Sequence, residues 1–333
     1  MTTKQLLLTA LESHRREYLS GEALAKQFNI SRSAIWKAIR ELRQEGHDIE
    51  AVTGAGYRLA AGSDRLSAEG ILAHIKTPLL HLDDLRVLQT TTSTNQVAKQ
   101  MAAKGARHGA LVVAEEQTAG RGRMGRSFFS PNSTGLYLSV LLRPAGSAAQ
   151  AALTTTATAV AVSRAIFKWS GRRVGIKWVN DLFYNQRKIC GILAEAATDM
   201  QTGHMESLVV GIGINLSTSA DEFPKDIQST AGSLFSAADH PMPPRNHLTA
   251  LIYDQILDLA DPPDPAHFIS EYRANCFIID QPVEVIRIGQ APETVIARDI
   301  DAAGGLVVER ADGSCLTLNS GEVSLKPFLG KEL

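Results

Sequence analysis

Apolar positions along the chain change period twice, and the changes mark three regions. Over residues 1–62 the pattern is helical and then briefly extended. A first helix is predicted over 4–16, and a second begins near Ser20 and turns Leu24, Ala25 and Phe28 toward a core. Asn29-Ile30 makes a turn, Ser31 is a good N-cap, and a third helix runs to Glu45, where Gly46 stops it. Within that third helix Ile35, Ile39 and Leu42 fall at i, i+4 and i+7, forming one apolar stripe. Arg32, Ser33, Trp36, Lys37, Arg40 and Arg43 occupy the remaining face. Two short extended runs, 49–53 and 57–59, flank Gly54-Ala55-Gly56 and predict a hairpin.

Residues 63–67 form a polar linker, and the largest region spans 68–276. Strands are expected at 85–90, 110–114, 136–142, 174–179, 182–184, 188–195 and 208–216, an antiparallel or mixed sheet. Ser93 is placed to cap a helix starting at Thr94, and 148–169 is a small-residue helix suited to lying flat on a sheet. Helices at about 246–259 and 265–276 close the region. From 282 to 333 the pattern shortens to strands at 283–288, 294–300, 306–309, 315–318 and 323–326, separated by Gly289, Gly304-Gly305, Asp312-Gly313 and Ser320-Gly321. That rhythm predicts a small β-barrel. The class is therefore α+β in three domains.

Composition alters this picture little. A chain of 333 residues with 44% hydrophobic and 21% charged positions is globular rather than fibrous or disordered. The three cysteines, Cys190, Cys276 and Cys315, are distant from one another and show no metal-ligand spacing. Neither a signal peptide nor a long apolar run occurs, so a cytoplasmic location is expected.

Charge alters it more. Net charge is only −1, yet the sixty-four residues from Gln117 to Asn180 contain no acid and nine bases: Arg121, Arg123, Arg126, Arg143, Arg164, Lys168, Arg172, Arg173 and Lys177. Three of the nine stand in Gly120-Arg121-Gly122-Arg123-Met124-Gly125-Arg126. Glycines admit close backbone approach and arginines fork onto phosphate or carboxylate oxygens, so an anion pocket is expected. The alternative is a surface loop with incidental arginines. Gly120-x-Gly122-x-x-Gly125 formally satisfies a dinucleotide fingerprint, but that motif opens a helix and is followed by an acid about 20 residues on. Here Ser127-Phe128-Phe129-Ser130-Pro131 follows, and no acid appears before Asp181. A P-loop is excluded too, because no Gly-Lys-Ser/Thr ends the run.

In the first region, a helix pair with a tight turn, a polar third helix and a β wing is the layout used to read DNA. The alternative is a structural helical domain with a solvated face, since nine bases against seven acids leave only +2.

The loop with Phe129-Ser130-Pro131 resembles the ligand loop of biotin–protein ligases. Ser93-Thr94-Asn95, the run from Lys177 through Trp178, Val179, Asn180 and Asp181 to Leu182, Arg187-Lys188 with Ile189–Leu193, and Gly211-Ile212-Gly213-Ile214-Asn215 match the same family in order. With the helix-turn-helix in front, the whole chain resembles bacterial bifunctional biotin ligases that also repress a biotin operon. The resemblance implies a winged helix-turn-helix, a catalytic domain of the biotin/lipoate ligase type and an SH3-like barrel.

It further implies ATP-dependent formation of biotinyl-5′-AMP and transfer of biotin to a lysine of a biotin carboxyl carrier protein, with Mg²⁺ accompanying ATP. By the same resemblance Ser93, Thr94, Asn95, Gln117, Arg121, Gly122, Arg123 and Lys188 would hold biotin. Gly120, Arg126, Lys177 and Asn215 would serve ATP and the adenylate. Arg123, Lys188 and Asp181 would be catalytic, Asp181 orienting the metal or accepting the incoming lysine's proton; as a bare residue it could equally be a turn cap. Arg32, Ser33, Trp36, Lys37 and Arg40 would meet operator DNA, bound by a homodimer that biotinyl-5′-AMP promotes. Met124, Val179 and Phe128 depart from an arginine, a proline and a tryptophan common in the family, and none removes an assigned charge. Two alternatives stay open: a lipoate or octanoate ligase, and a transcription factor that senses a small anion without catalysis.

Overall fold

The computed structural model describes residues 2–143, 148–198, 205–239, 242–286, 291–319 and 322–325, with no account of side chains at 148–152, 237, 322, 324 and 325. The expected turns at Gly289 and Ser320-Gly321, and the strand ends at 287–288 and 326, lie outside them.

Each N-terminal helix starts where its cap dictates. Helix α1 (Thr3–Ser13) opens on a reciprocal capping box between Thr2 and Gln5. It ends before the expected limit of 16, at His14, whose backbone leaves helical geometry at φ −125° and ψ 41°. Ser20 caps α2 (Gly21–Phe28), which ends at Asn29 in the left-handed region, φ 55°. Ser31 Oγ accepts the Ala34 amide at 3.1 Å and starts α3 (Arg32–Gln44). Its buried stripe, Ile35, Ala38, Ile39 and Leu42, meets Leu7, Leu8, Leu11 and Leu24. Strands β1 (Ile49–Val52) and β2 (Gly56–Leu59) form the wing, pairing Ile49 with Leu59.

A short helix unmarked by periodicity, α4 (Ala68–Leu72), follows the linker. Next come β3 (Leu85–Thr91), α5 (Thr94–Ala103), β4 (Ala110–Gln117), β5 (Gly135–Leu142), α6 (Ala148–Ser170), β6 (Gly175–Lys177), β7 (Asp181–Tyr184), β8 (Arg187–Thr198) and β9 (Met205–Asn215). The strands form one mixed sheet in the order β3-β4-β5-β9-β8-β7-β6. Only β3 and β4 run parallel, because α5 supplies the crossover between them; short turns make the other pairs antiparallel. Helix α6 lies on the sheet through Ala157, Val160, Ala161, Ala165 and Ile166.

Helix α7 (Arg245–Leu259) packs on α6. The helix expected over 265–276 is broken at the fully buried Phe268, leaving a single turn and α8 (Ile269–Asn275). Strands β10 (Pro282–Ile286), β11 (Glu293–Ile300), β12 (Leu306–Glu309), β13 (Cys315–Leu318) and β14 (Glu322–Leu325) form an antiparallel sheet in the order β13-β12-β11-β10-β14, the small β module expected. Its Val283, Val285, Ile300 and Leu306 belong to the core of the seven-stranded sheet, whereas the N-terminal helices have a core of their own. Trp178 Nε1 donates to the Gly304 carbonyl at 2.9 Å, joining the two sheets.

Candidate functional site

The parallel β3/β4 pair ends where α5 begins, so the N-terminus of α5 and the loop after β4 open on one side of the sheet. There a cleft of about 1000 Å³ extends across β8 and β9 to the C-terminal sheet. Ser93, Thr94, Asn95, Gln117, Arg121, Gly122, Arg123, Arg126, Lys177, Asp181, Lys188 and Asn215 all line it. Gly120 does not; its carbonyl accepts the Phe128 amide at 2.9 Å and closes the base of the loop.

The cleft floor needs glycine at two places. A Cβ on Gly211 would stand 2.1 Å from Asn95 Oδ1, and one on Gly213 would stand 2.5 Å from the Phe128 ring. Any side chain there would evict a residue that lines the cleft.

At one end lies a buried hydrogen-bond network. Ser93, the expected cap of α5, makes no side-chain cap bond. Instead Gln117 Oε1 accepts both the Thr94 amide at 2.9 Å and the Thr94 hydroxyl at 3.2 Å, and Gln117 Nε2 donates to Ser130 Oγ at 2.9 Å. Gln117 is longer than serine and reaches the orphan amide from across the β3/β4 pair. Ser139 Oγ, wholly buried in β5, lies 2.6 Å from Asn95 Oδ1 and 2.8 Å from Thr94 Oγ1. Asn95 Nδ2 donates to Glu195 Oε2 at 2.7 Å, and Lys99 pairs with the same carboxylate. Burial pushes the Glu195 carboxyl up, but the bonds from Lys99 and Asn95 outweigh it and hold it below the usual carboxylate range. Sequence patterning missed Ser139 and Glu195; the one signal was a lone hydroxyl at the centre of an apolar strand.

The glycine–arginine run is an internally bonded turn. Gly122 N–H donates to the Arg126 carbonyl at 2.7 Å, Arg126 N–H to the Arg123 carbonyl at 3.1 Å, and Met124 and Gly125 take positive φ. Arg123 Nη1 donates to Asn180 Oδ1 at 3.2 Å, while Asn180 Nδ2 donates to the Ile192 carbonyl at 2.9 Å. The loop arginine is thus tied to the turn between β6 and β7, which the sequence had counted as the end of a strand.

At the other end Lys188 Nζ lies 2.7 Å from Asp181 Oδ1 across the β7/β8 pair. Lys177 stands 5.9 Å above the Phe183 ring. Asn215, only 4% exposed, donates from Nδ2 to the Gly232 carbonyl at 3.1 Å, and no donor among the described residues reaches its Oδ1. Arg187 faces away from the cleft and straps the loop after β9, donating to the Gln228 carbonyl at 2.8 Å and the Ala231 carbonyl at 3.3 Å. Beneath them burial raises the Cys190 thiol and the Tyr272 phenol well above their ordinary values, so neither is a proton donor or nucleophile near neutrality.

The structure divides the nine bases of the acid-free stretch. Arg121, Arg123, Arg126 and Lys177 reach the cleft. Arg143 bonds the carbonyls of Ala102 and Ala106, Arg164 pairs with Glu271, Arg172 with Asp239, and Arg173 lies over Phe167; Lys168 is outside the lining. With Lys188, five cations face one acid, Asp181, among the described lining residues. An excess of four charges in a partly enclosed cleft suits a polyanionic ligand.

In the N-terminal domain Arg32, Ser33, Trp36, Lys37 and Arg40 all lie exposed on α3. Arg40 stacks 5.7 Å from the Trp36 ring, and Arg32 pairs with Glu22. Arg43 is not part of that face in function, since it donates to the Ile49 carbonyl at 2.6 Å and fastens the wing.

Comparison with known proteins gives consistent matches. Residues 87–215 match the Biotin/lipoate A/B protein ligase family, residues 3–58 an HTH domain and residues 278–326 the Biotin protein ligase C terminal domain. The chain is 34% identical to the bifunctional ligase/repressor BirA of Salmonella typhimurium over 98% of both sequences. It is 37% identical to BirA of Bacillus subtilis over 71% of this chain and 72% of that protein. Among solved structures, the biotin protein ligase of Aquifex aeolicus in complex with biotin and ATP superposes with a TM-score of 0.59 at 25% identity, covering 73% of this chain and 98% of that one.

Proposed function

The chain belongs to the bifunctional ligase/repressor branch of the biotin/lipoate protein ligase family, and from that premise we propose how its cleft works. The protein is a biotin–protein ligase that uses ATP and carries a DNA-binding repressor domain. Biotin's carboxylate oxygen bonds to the α-phosphorus of ATP as the bond to pyrophosphate breaks, giving biotinyl-5′-AMP. A carrier lysine then attacks the acyl carbon, AMP leaves, and the amine loses a proton. One observation supports this most: five cations converge on a cleft that is also lined by the hydroxyls and amides of Ser93, Thr94, Asn95 and Gln117. Carboxylate and triphosphate repel each other, and fixed cations between them lower the cost of contact.

In this assignment Ser93, Thr94, Asn95 and Gln117 take the ring of biotin, and Arg121, Gly122, Arg123 and Lys188 its carboxylate. Arg126, Lys177 and Asn215 serve the nucleotide. Asp181 pairs with the Lys188 ammonium and, as the one acid among the described lining residues, would accept the carrier lysine's proton. Mg²⁺ would be held chiefly by ATP oxygens, because the described residues offer no cluster of three or more ligating side chains and Asp181 is the single acid in the cleft. When bound, it would neutralise phosphate charge.

The partners follow from the same proposal: a biotin carboxyl carrier protein, operator DNA on the exposed face of α3, and a second copy of the chain joined when biotinyl-5′-AMP orders the loop. No described helix is long and apolar enough to cross a membrane, and free Cys190, Cys276 and Cys315 suit a reducing cytoplasm. Incubation with biotin, ATP labelled at the α-phosphate and a purified carrier domain tests the ligase. Labelled adenylate followed by biotinylated carrier is expected, and labelled AMP with octanoate but not biotin would overturn it. Footprinting of a biotin-synthesis promoter, with and without biotin and ATP, tests the repressor.

A further inference from the structure

We infer that Glu195 is a positioning residue that sets which way the Asn95 amide faces and thereby makes the ring end of the cleft selective for a ligand with N–H donors. The inference rests on the biotin assignment above and extends it to a residue outside the ligand-lining set.

Asn95 Nδ2 has two hydrogens, and both are committed: one to Glu195 Oε2 at 2.7 Å, the other to the Leu193 carbonyl at 3.3 Å. Turning the amide over would set its oxygen against a carboxylate and a carbonyl, two repulsions at a residue only 4% exposed. Oδ1 therefore faces the Ser139 hydroxyl at 2.6 Å and keeps a second lone pair. The absent Cβ of Gly211 makes the room that Oδ1 occupies in this orientation.

Glu195 is itself fixed. Lys99 on α5 pairs with its other oxygen, and the charge of Arg121 lies close enough to stabilise the carboxylate. One carboxylate thus links α5, β8 and the glycine–arginine loop. With its hydrogens consumed, Asn95 can offer a ligand only an acceptor. A cyclic urea such as that of biotin supplies an N–H to meet it; a dithiolane or plain acyl chain does not. A site built to meet a polar ligand group rejects an analogue without it, since its own group is left unpaired.

The test is calorimetric biotin binding with KM values for biotin and ATP, on wild type, Glu195→Ala, Glu195→Gln and Lys99→Met, each with its thermal midpoint. Glu195→Ala is expected to weaken biotin by at least about tenfold while ATP KM stays within about twofold. Glu195→Gln, whose carbonyl oxygen still accepts from Asn95, should recover most of that loss, and biotin-over-octanoate selectivity should follow the same order. Unchanged biotin affinity in Glu195→Ala overturns the inference. So does a parallel rise in both KM values that tracks the fall in thermal midpoint, which marks a merely structural residue. Should Glu195→Ala not fold, Lys99→Met decides: freeing the Glu195 carboxylate from its ion pair should weaken biotin binding while ATP KM stays within about twofold, and unchanged biotin affinity overturns the inference. Failure of the wild-type chain to bind biotin would instead overturn the ligase assignment on which the inference rests.

Discussion

Asn246 Nδ2 donates to Glu12 Oε1 at 2.9 Å, joining the first turn of α7 to the first helix of the DNA-binding domain across 234 positions of sequence. Both residues are about 1% exposed. Next to them Arg245, 3% exposed, pairs with Asp64 of the linker at 2.6 Å and with Glu115 of β4 at 2.8 Å. Glu115 also accepts the Leu66 amide at 3.1 Å and stands two residues before Gln117. Buried polar contacts thus run from β4 through the linker and the start of α7 to α1.

Removing one partner strands the others without water. Glu12→Ala is expected to destabilise the protein by about 1–3 kcal/mol. Urea unfolding followed by amide hydrogen exchange within α1–α3 and by the fluorescence of the buried Trp169 and Trp178 should show the helix-turn-helix domain melting earlier than the rest. Coincident transitions at the wild-type midpoint would contradict this.

Lys188 and Asp181, both in the cleft lining, form an ion pair at 2.7 Å. Lys188→Ala and Arg123→Ala should each lower kcat/KM for carrier labelling by at least tenfold, about 1.4 kcal/mol of transition-state stabilisation. Arg123→Ala also cuts the tie to Asn180, so its loop should become more sensitive to limited proteolysis than that of Lys188→Ala. Equal protease sensitivity would mean that the Asn180 contact does not hold the loop.

Arg187 fastens the loop after β9, its Nη1 donating to the carbonyls of Gln228 and Ala231. Arg187→Met keeps the apolar stem and removes both bonds. KM for ATP is expected to rise by about three- to tenfold, the worth of one or two such bonds, with biotin affinity little changed. Steady-state kinetics with each substrate varied in turn will show which KM moves.

Three histidines flank the contact between the N-terminal domain and the large sheet domain. Burial, aided by Arg65, lowers the His47 pKa from its ordinary 6.5; burial lowers that of His74 against the pull of Glu12; burial, His74 and nearby lysines lower that of His247. Their folded-state pKa values lie below the unfolded value, so their full contribution is present above 6.5 and is lost as pH falls through it. Asp64 and Asp261, whose carboxyls burial raises, act in the opposite direction at lower pH. The urea midpoint should fall between about pH 7.5 and about pH 5.5. His47→Gln should flatten the slope, and an unaltered slope would remove that ring from the account.

Caps and periods made much of the architecture legible in the chain itself. Ser20 and Ser31, the stripe Ile35–Ile39–Leu42 and the glycines around Ala55 are local signals, and local hydrogen bonds and faces answered them. The glycine–arginine loop was legible for the same reason, because its turn closes on itself within five residues. Ser93 marked the start of α5, but serine's short reach could not show that Gln117 would take the Thr94 amide from 23 positions away.

By itself, then, the sequence determined the three-part order of elements, a third helix with an exposed basic face and a cationic glycine–arginine turn, because these depend on contacts a few residues apart. Only the tertiary structure decided which four of nine bases enter the cleft, that Ser139 and Glu195 stand behind Asn95, that Arg187 holds a loop rather than a ligand, and that Glu12 meets Asn246. Those outcomes turn on partners brought together by strand order and helix packing. A side chain's charge is written in its identity, but what that charge is spent on depends on which distant acceptor the fold delivers to it.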